Sequence, residues 1–168
     1  KKVIMPPSPG TLSSLGLLVA DTRFDFSTSR ILIAEDESIE QVRDIFKDLY
    51  IKGNTMLDVE KIRNEDKIFE TSIDCRYERQ NYEIPIQFSG SEFNVDSLKE
   101  IQEKFHIEHE KLYGYSDRTK RIQMVNYRLA AIGIIKKPNL KALPIDKNVI
   151  APKPKEIRKV RFEGCNNY

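Results

Sequence analysis

Across residues 105–133, FHIEHEKLYGYSDRTKRIQMVNYRLAAIG, the apolar period changes from about 3.6 to 2 within one charged turn. Phe105 and Leu112 fall on helical spacing with His109 on the same face, flanked by His106 and Tyr113. Gly114 is a natural helix stop. Beyond the turn, Val125, Tyr127, Leu129 and Ala131 alternate with polar neighbours over a strand spanning 122–135. Spacing alone therefore reads as an α+β domain.

The chain before this point repeats the two periods. Pro6, Pro7, Pro9 and Gly10 make a rigid turn after KVIM, and Thr11 is placed to cap a helix running to about residue 22. Leu12, Leu15, Leu18 and Val19 form its apolar face; Gly16 inside it marks close packing or a ligand. Residues 23–33 read as extended. Ser38 with Gln41 has the capping-box pattern and opens a helix over 38–62, with a weak point at Gly53-Asn54. Its stripe is Ile39, Val42, Ile45, Phe46, Leu49, Tyr50, Leu57 and Ile62. Two half-buried strands follow, 69–80 and 82–88, joined at Arg79-Gln80-Asn81. Pro85 cannot donate to a ladder, so its strand is an edge or the proline faces a free position. Ser97 with Glu100 opens the last helix, to 113.

The expected fold is α+β: an antiparallel sheet from segments 69–80, 82–88 and 122–135, covered mainly on one face by the helices 38–62 and 97–113. Three parts are expected: 1–22, a C-terminal-type α+β domain over 23–136, and an irregular basic tail over 137–168. Only 159–162 looks strand-like in that tail. From Lys136 onward, nine Lys or Arg against three Asp or Glu give +6, leaving −4 for the rest of a chain whose net charge is +2. The tail's lysines are spread among prolines with few aromatics, which argues against a nucleic-acid arm. Charged residues are 32%, and no apolar run approaches the ~20 residues of a membrane span. With no signal peptide and two cysteines outside any metal spacing, the expected setting is cytoplasmic. Lys1 and the unpunctuated end are read as marks of a piece of a larger polypeptide.

Candidate chemistry falls in two places. Arg76 and Glu83 flank the hairpin turn, either as a cross-strand ion pair or with Glu83 as general base or substrate contact. Asn126 and Arg128 share one face of the later strand and either join them or face solvent. His106 and His109 form HxxH, which lacks a third metal ligand, so no metal site is assigned and His109 is expected to be hydrogen-bonded at the helix–sheet seam. No P-loop, GxGxxG or GxSxG motif occurs.

Three blocks together are more specific. PPSPGTLSSLGLLVAD at 6–21, IDCRYERQNYEIPI at 73–86 and FHIEHEKLYGY…VNYRLAAIG at 105–133 resemble the hydantoinase A / 5-oxoprolinase / acetone carboxylase β-subunit family (the N-methylhydantoinase A group), in its C-terminal part. RKVRFEG at 158–164 resembles a further stretch of that family. Arg79 stands where the family usually has glycine in RYxGQ, and Gln123 where it usually has an acidic residue.

The resemblance implies a parent enzyme that couples ATP hydrolysis to opening a cyclic amide, or to activating a ketone for carboxylation. ATP and Mg²⁺ would serve an upstream ATPase domain of which residues 1–22 are the tail, with no cofactor site in these 168 residues. A hydantoinase B-type subunit or domain would be the partner. Phosphorylating an amide oxygen creates the leaving group that the amide lacks. The expected role here is to shape the substrate cleft and subunit contacts, with Glu83 and His109 as catalytic candidates and Arg76, His106, Tyr115, Asn126 and Arg128 as substrate or interface residues. The alternative is a non-catalytic assembly domain of an acetone-carboxylase-like complex.

Overall fold

A computed structural model describes residues 9–88, 92–137 and Glu156. The KVIM segment at 2–5, the 159–162 segment and the basic tail apart from Lys137 and Glu156 lie outside the described residues.

Four strands form one antiparallel sheet: β1 (Thr22–Ile33), β2 (Lys67–Tyr77), β3 (Ile84–Phe88) and β4 (Ile122–Gly133), in the order β1-β4-β2-β3. The expected three-stranded sheet is thus one strand short, because residues 22–33 pair along β4 from Thr22↔Gly133 to Ile33↔Gln123. Their pattern reads weakly in sequence because Phe24 and Phe26 at this edge are only half-buried. β3 is the opposite edge, and Pro85 there is exposed, where its missing N–H costs no ladder bond. Tyr82, expected in that strand, lies before it and is 73% exposed.

Two long helices, α2 (Ile39–Val59) and α3 (Val95–Tyr113), pack against the sheet. Ile39, Val42, Ile45, Phe46, Leu49, Gly53 and Leu57 are buried, one helical stripe continuous through the expected weak point. At Gly53 the helix comes close to the sheet: a Cβ built there would lie 2.9 Å from that of Ala131. The helix stops at Val59, and Ile62 instead fills the space over Gly133. On α3, Leu98, Ile101, Phe105, His106 and His109 face inward, whereas Leu112, expected with them, is 63% exposed. In the core, edge-on ring contacts link Phe46, Phe88 and Phe93, and separately Tyr77 and Phe105.

Both predicted capping boxes are corrected. Asn94 caps α3: its side chain accepts from the backbone N–H groups of Asp96 and Ser97, and Ser97 closes the box from the third position. Ser38 does not cap α2; its hydroxyl donates to the Glu35 carbonyl. The N-terminal helix is shorter than 11–22: a 3-10 turn over Pro9–Thr11 leads into α1 (Leu12–Val19), and Thr11 makes no side-chain cap. Leu12, Leu17 and Leu18 of α1 are exposed.

Candidate functional site

The sheet's second face is polar and carries the densest network of the described residues. Period-2 alternation sends Asp74 and Arg76 of β2 to the side opposite Ile73, Cys75 and Tyr77, whose side chains enter the core. On β4 the alternation is interrupted. Asp74 pairs with Asn126 but the next residue, Cys75, pairs with Met124, so Val125 is the extra residue of a bulge. The bulge changes which residues face inward: Met124 enters the core in place of the expected Val125. It also turns Gln123 to the same face as Asn126 and Arg128.

Asp74 is the hub. It is 5% exposed, and its Oδ2 accepts from Arg128 Nε (2.9 Å), Arg128 Nη2 (2.6 Å) and Asn126 Nδ2 (3.0 Å). Asn126 Nδ2 also donates to Glu83 Oε2 (2.9 Å), and its Oδ1 accepts from Ser29 (2.6 Å). Arg76 donates from Nε to Gln123 Oε1 (3.0 Å) and approaches Glu83 Oε1 at 3.5 Å. The Arg128 guanidinium is held further above its ordinary pKa by its bonds to Asp74. The structure therefore brings Arg76, Glu83, Asn126 and Arg128 together, and the pairing of Arg76 with Glu83 coexists with a Glu83 oxygen held by asparagine. Chemically, the arrangement fixes donors and acceptors rigidly on an open surface.

His106, His109 and Tyr115 gather elsewhere, at the end of α3 on the core side of β2. His109 is 1% exposed. Its Nδ1 must carry the proton, since it meets the Tyr115 carbonyl at 2.8 Å; Nε2 is then the acceptor for Gln80 Nε2 at 3.2 Å. Tyr77 Oη accepts from the Asp117 N–H (2.9 Å) and donates to His106 Nδ1 (2.7 Å). Burial lowers the His106 pKa, keeping it neutral. Both imidazoles thus tie α3 and the turn after Gly114 to the end of β2. Among the described residues no three His, Cys, Asp or Glu side chains are grouped to hold a metal.

Sequence reasoning missed Asp74, Gln123 and Ser29. Asp74 was readable as the middle of the polar alternation Ser72-Asp74-Arg76. Gln123 was not, because strict alternation from Asn126 puts it on the core side.

Fold and site together define an α+β unit with one face closed by helices and one open, polar face. No family model matches the chain. It is 36% identical over 162 residues to an uncharacterized protein of Methanocaldococcus jannaschii, covering 96% of this chain and 22% of that protein. It is 25% identical over 171 residues to caprolactamase subunit alpha of Pseudomonas jessenii, covering all of this chain and 25% of that subunit. The chain thus spans about a quarter of the length of these relatives. The crystal structure of ATP-dependent caprolactamase from Pseudomonas jessenii superimposes with a TM-score of 0.71 over 81% of this chain and 20% of that one, at 24% identity. Nucleotide-free acetone carboxylase gives 0.71 over 83% and 21%, at 12% identity. Both likenesses establish the fold.

Proposed function

We propose that this chain is the C-terminal-type domain of a longer ATP-dependent enzyme that opens cyclic amides, of the hydantoinase and 5-oxoprolinase kind, and that its open sheet face lines the substrate cleft. The observation that carries this is the Asp74–Asn126–Glu83 network. A solvated sheet face needs no buried carboxylate hub; a surface that must hold donors in fixed positions does. The match of the whole chain to a quarter of a caprolactamase subunit supports the amide over the ketone as substrate. Residues 1–22 are read as the tail of an upstream ATPase domain. The exposed leucines of α1 suit packing against it, since α1 buries none of its own residues among those described. In the parent, ATP and Mg²⁺ would activate the amide oxygen at that domain, and a hydantoinase B-type partner would complete the hydrolysis. This chain's part is to orient the amide through Arg76, Asn126 and Arg128, with Glu83 positioned by Asn126.

The test is ATP hydrolysis by the longer polypeptide with its partner subunit, measured against cyclic amides and ketones. Turnover stimulated by a lactam and accompanied by ring-opened product is the expected result. Stimulation by ketones alone, with bicarbonate required, would place the parent with the carboxylases instead.

A second reading, a non-catalytic assembly domain, is favoured by the exposed α1 leucines. It predicts that substitutions in the polar network abolish subunit assembly and leave the activity of the remaining complex intact.

A further inference from the structure

The open face is ordered in rows, one residue per strand. Ser29, Asn126, Asp74 and Pro85 form the network row. The next row is Ser27, Arg128, Ser72 and Gln87, and beyond it Asp25, Ala130 and Glu70. Neighbouring strands lie about 4.8 Å apart, so the second row sets four polar side chains across roughly 14 Å. Among the described residues, the side chains of Ser27, Ser72 and Gln87 make no hydrogen bond, and Arg128 uses only Nε and Nη2, leaving Nη1.

Ala130 is the small apolar member of the third row, between Asp25 and Glu70, and a depression of about 240 Å³ beside it is also lined by Ser27, Ser72, Gln87 and Arg128. This is smaller than the ~300–1,000 Å³ of drug-sized sites, and suits a single small functional group with a ring or short chain. Its charge selects further. Arg23 on the rim is bonded to Asp25 and approaches Glu70, and Arg128 is bonded to Asp74. An incoming anion meets Asp25 and Glu70, and an incoming cation meets two arginines. A neutral dipole meets neither penalty. An amide offers a carbonyl for the Arg128 Nη1 and an N–H for a serine hydroxyl, both unsatisfied there. Arg128 is also preorganised, because Asp74 fixes its guanidinium before any ligand arrives.

We infer that the notch over Ala130 is a binding subsite for a small neutral amide, with Arg128 donating to its carbonyl and Ser27 and Ser72 flanking it. The inference deepens the amide-opening reading above and rests on it for the substrate class.

The test is an ¹⁵N–¹H titration of the 168-residue chain with 2-pyrrolidone, and with propionate as an anionic counterpart of similar size. Saturable shifts of the Ser27, Ser72, Arg128 and Ala130 amides are expected, with a millimolar midpoint. They should vanish in Ala130→Leu, which fills the notch. Should that variant fail to keep a dispersed spectrum, the double variant Ser27→Ala/Ser72→Ala, at two side chains of the polar row, is expected to raise the midpoint at least threefold. Shifts that grow linearly without saturating, or persist unchanged in the variants, overturn the inference, as does propionate saturating at lower concentration than pyrrolidone. Lactam turnover by the parent without binding here would defeat the subsite and leave the proposed activity standing. Binding here without turnover would do the reverse.

Discussion

Arg128 gives both Nε and Nη2 to one oxygen of Asp74, at 2.9 and 2.6 Å, while Asp74 itself is almost wholly buried and Arg128 is about half exposed. The asymmetry decides what each substitution does. Removing Asp74 frees an arginine that can turn into water but also deprives Asn126 of an acceptor. Removing Arg128 leaves a buried carboxylate with Asn126 alone. Arg128→Ala is therefore expected to destabilise by ~2–3 kcal/mol and Asp74→Ala by ~1–2 kcal/mol. The double variant should recover part of the loss. Urea denaturation of the three variants checks this; equal and additive losses would mean that the pair is not coupled.

Arg79 adopts φ +70°, the left-handed conformation that glycine takes without penalty. The turn thus keeps a glycine geometry with an arginine in it. Arg79→Gly is expected to stabilise the chain by ~1 kcal/mol, the order of the left-handed cost for an L-residue offset by glycine's greater unfolded freedom. Arg79→Ala keeps the strain and should give no gain. The midpoint of chemical denaturation distinguishes the two.

Gly53 lies where α2 meets β4. Gly53→Ala raises helix propensity by ~1 kcal/mol yet places a methyl 2.9 Å from Ala131 Cβ and 3.0 Å from Leu129 Cδ2. Overpacking of this kind costs ~1–3 kcal/mol, so a net loss is expected. Adding Ala131→Gly should relieve it. A stabilised single variant, seen as a raised Tm, would contradict the close approach.

His106 titrates below its ordinary value of 6.5 because burial disfavours its cation. A folded-state pKa below the unfolded one means that the unfolded chain binds the proton more readily. The stability tied to a neutral His106 is whole above pH 6.5 and is lost as pH falls through the lowered folded value. His106→Gln should flatten that part of the stability–pH curve, and no flattening would show that the acid response comes from other groups.

The helices, their inward faces and three strands were legible because their periods are long and unbroken. Residues 23–33 were legible as extended, but not their place in the sheet, since an edge strand half-covered by one helix needs little apolar alternation. The capping boxes misled because Ser97 fits two frames, and only the chain entering from Phe93 shows that Asn94 comes first. For the site, counting faces put Asn126 and Arg128 on one side of their strand but left open whether they join Arg76 and Glu83 or face solvent; the hydrogen bonds through Asp74 and Asn126 bring them together. The Val125 bulge, which brings Gln123 to Arg76, has no sequence signal: no glycine or proline marks it. Likewise HxxH gave the two histidines a common helix face, but not the Tyr77 hydroxyl and the Tyr115 carbonyl that occupy them.

The most direct measurement is turnover per assembled complex for the longer polypeptide bearing Asn126→Ala, with assembly followed by sedimentation. Asn126 sits between Asp74 and Glu83, so its loss removes one donor from each carboxylate and leaves Asp74 on Arg128 and Glu83 beside Arg76. If the open face lines the cleft, lactam-dependent turnover falls at least tenfold, about 1.4 kcal/mol in the barrier, while the complex sediments unchanged. Full turnover in an intact complex would contradict the account.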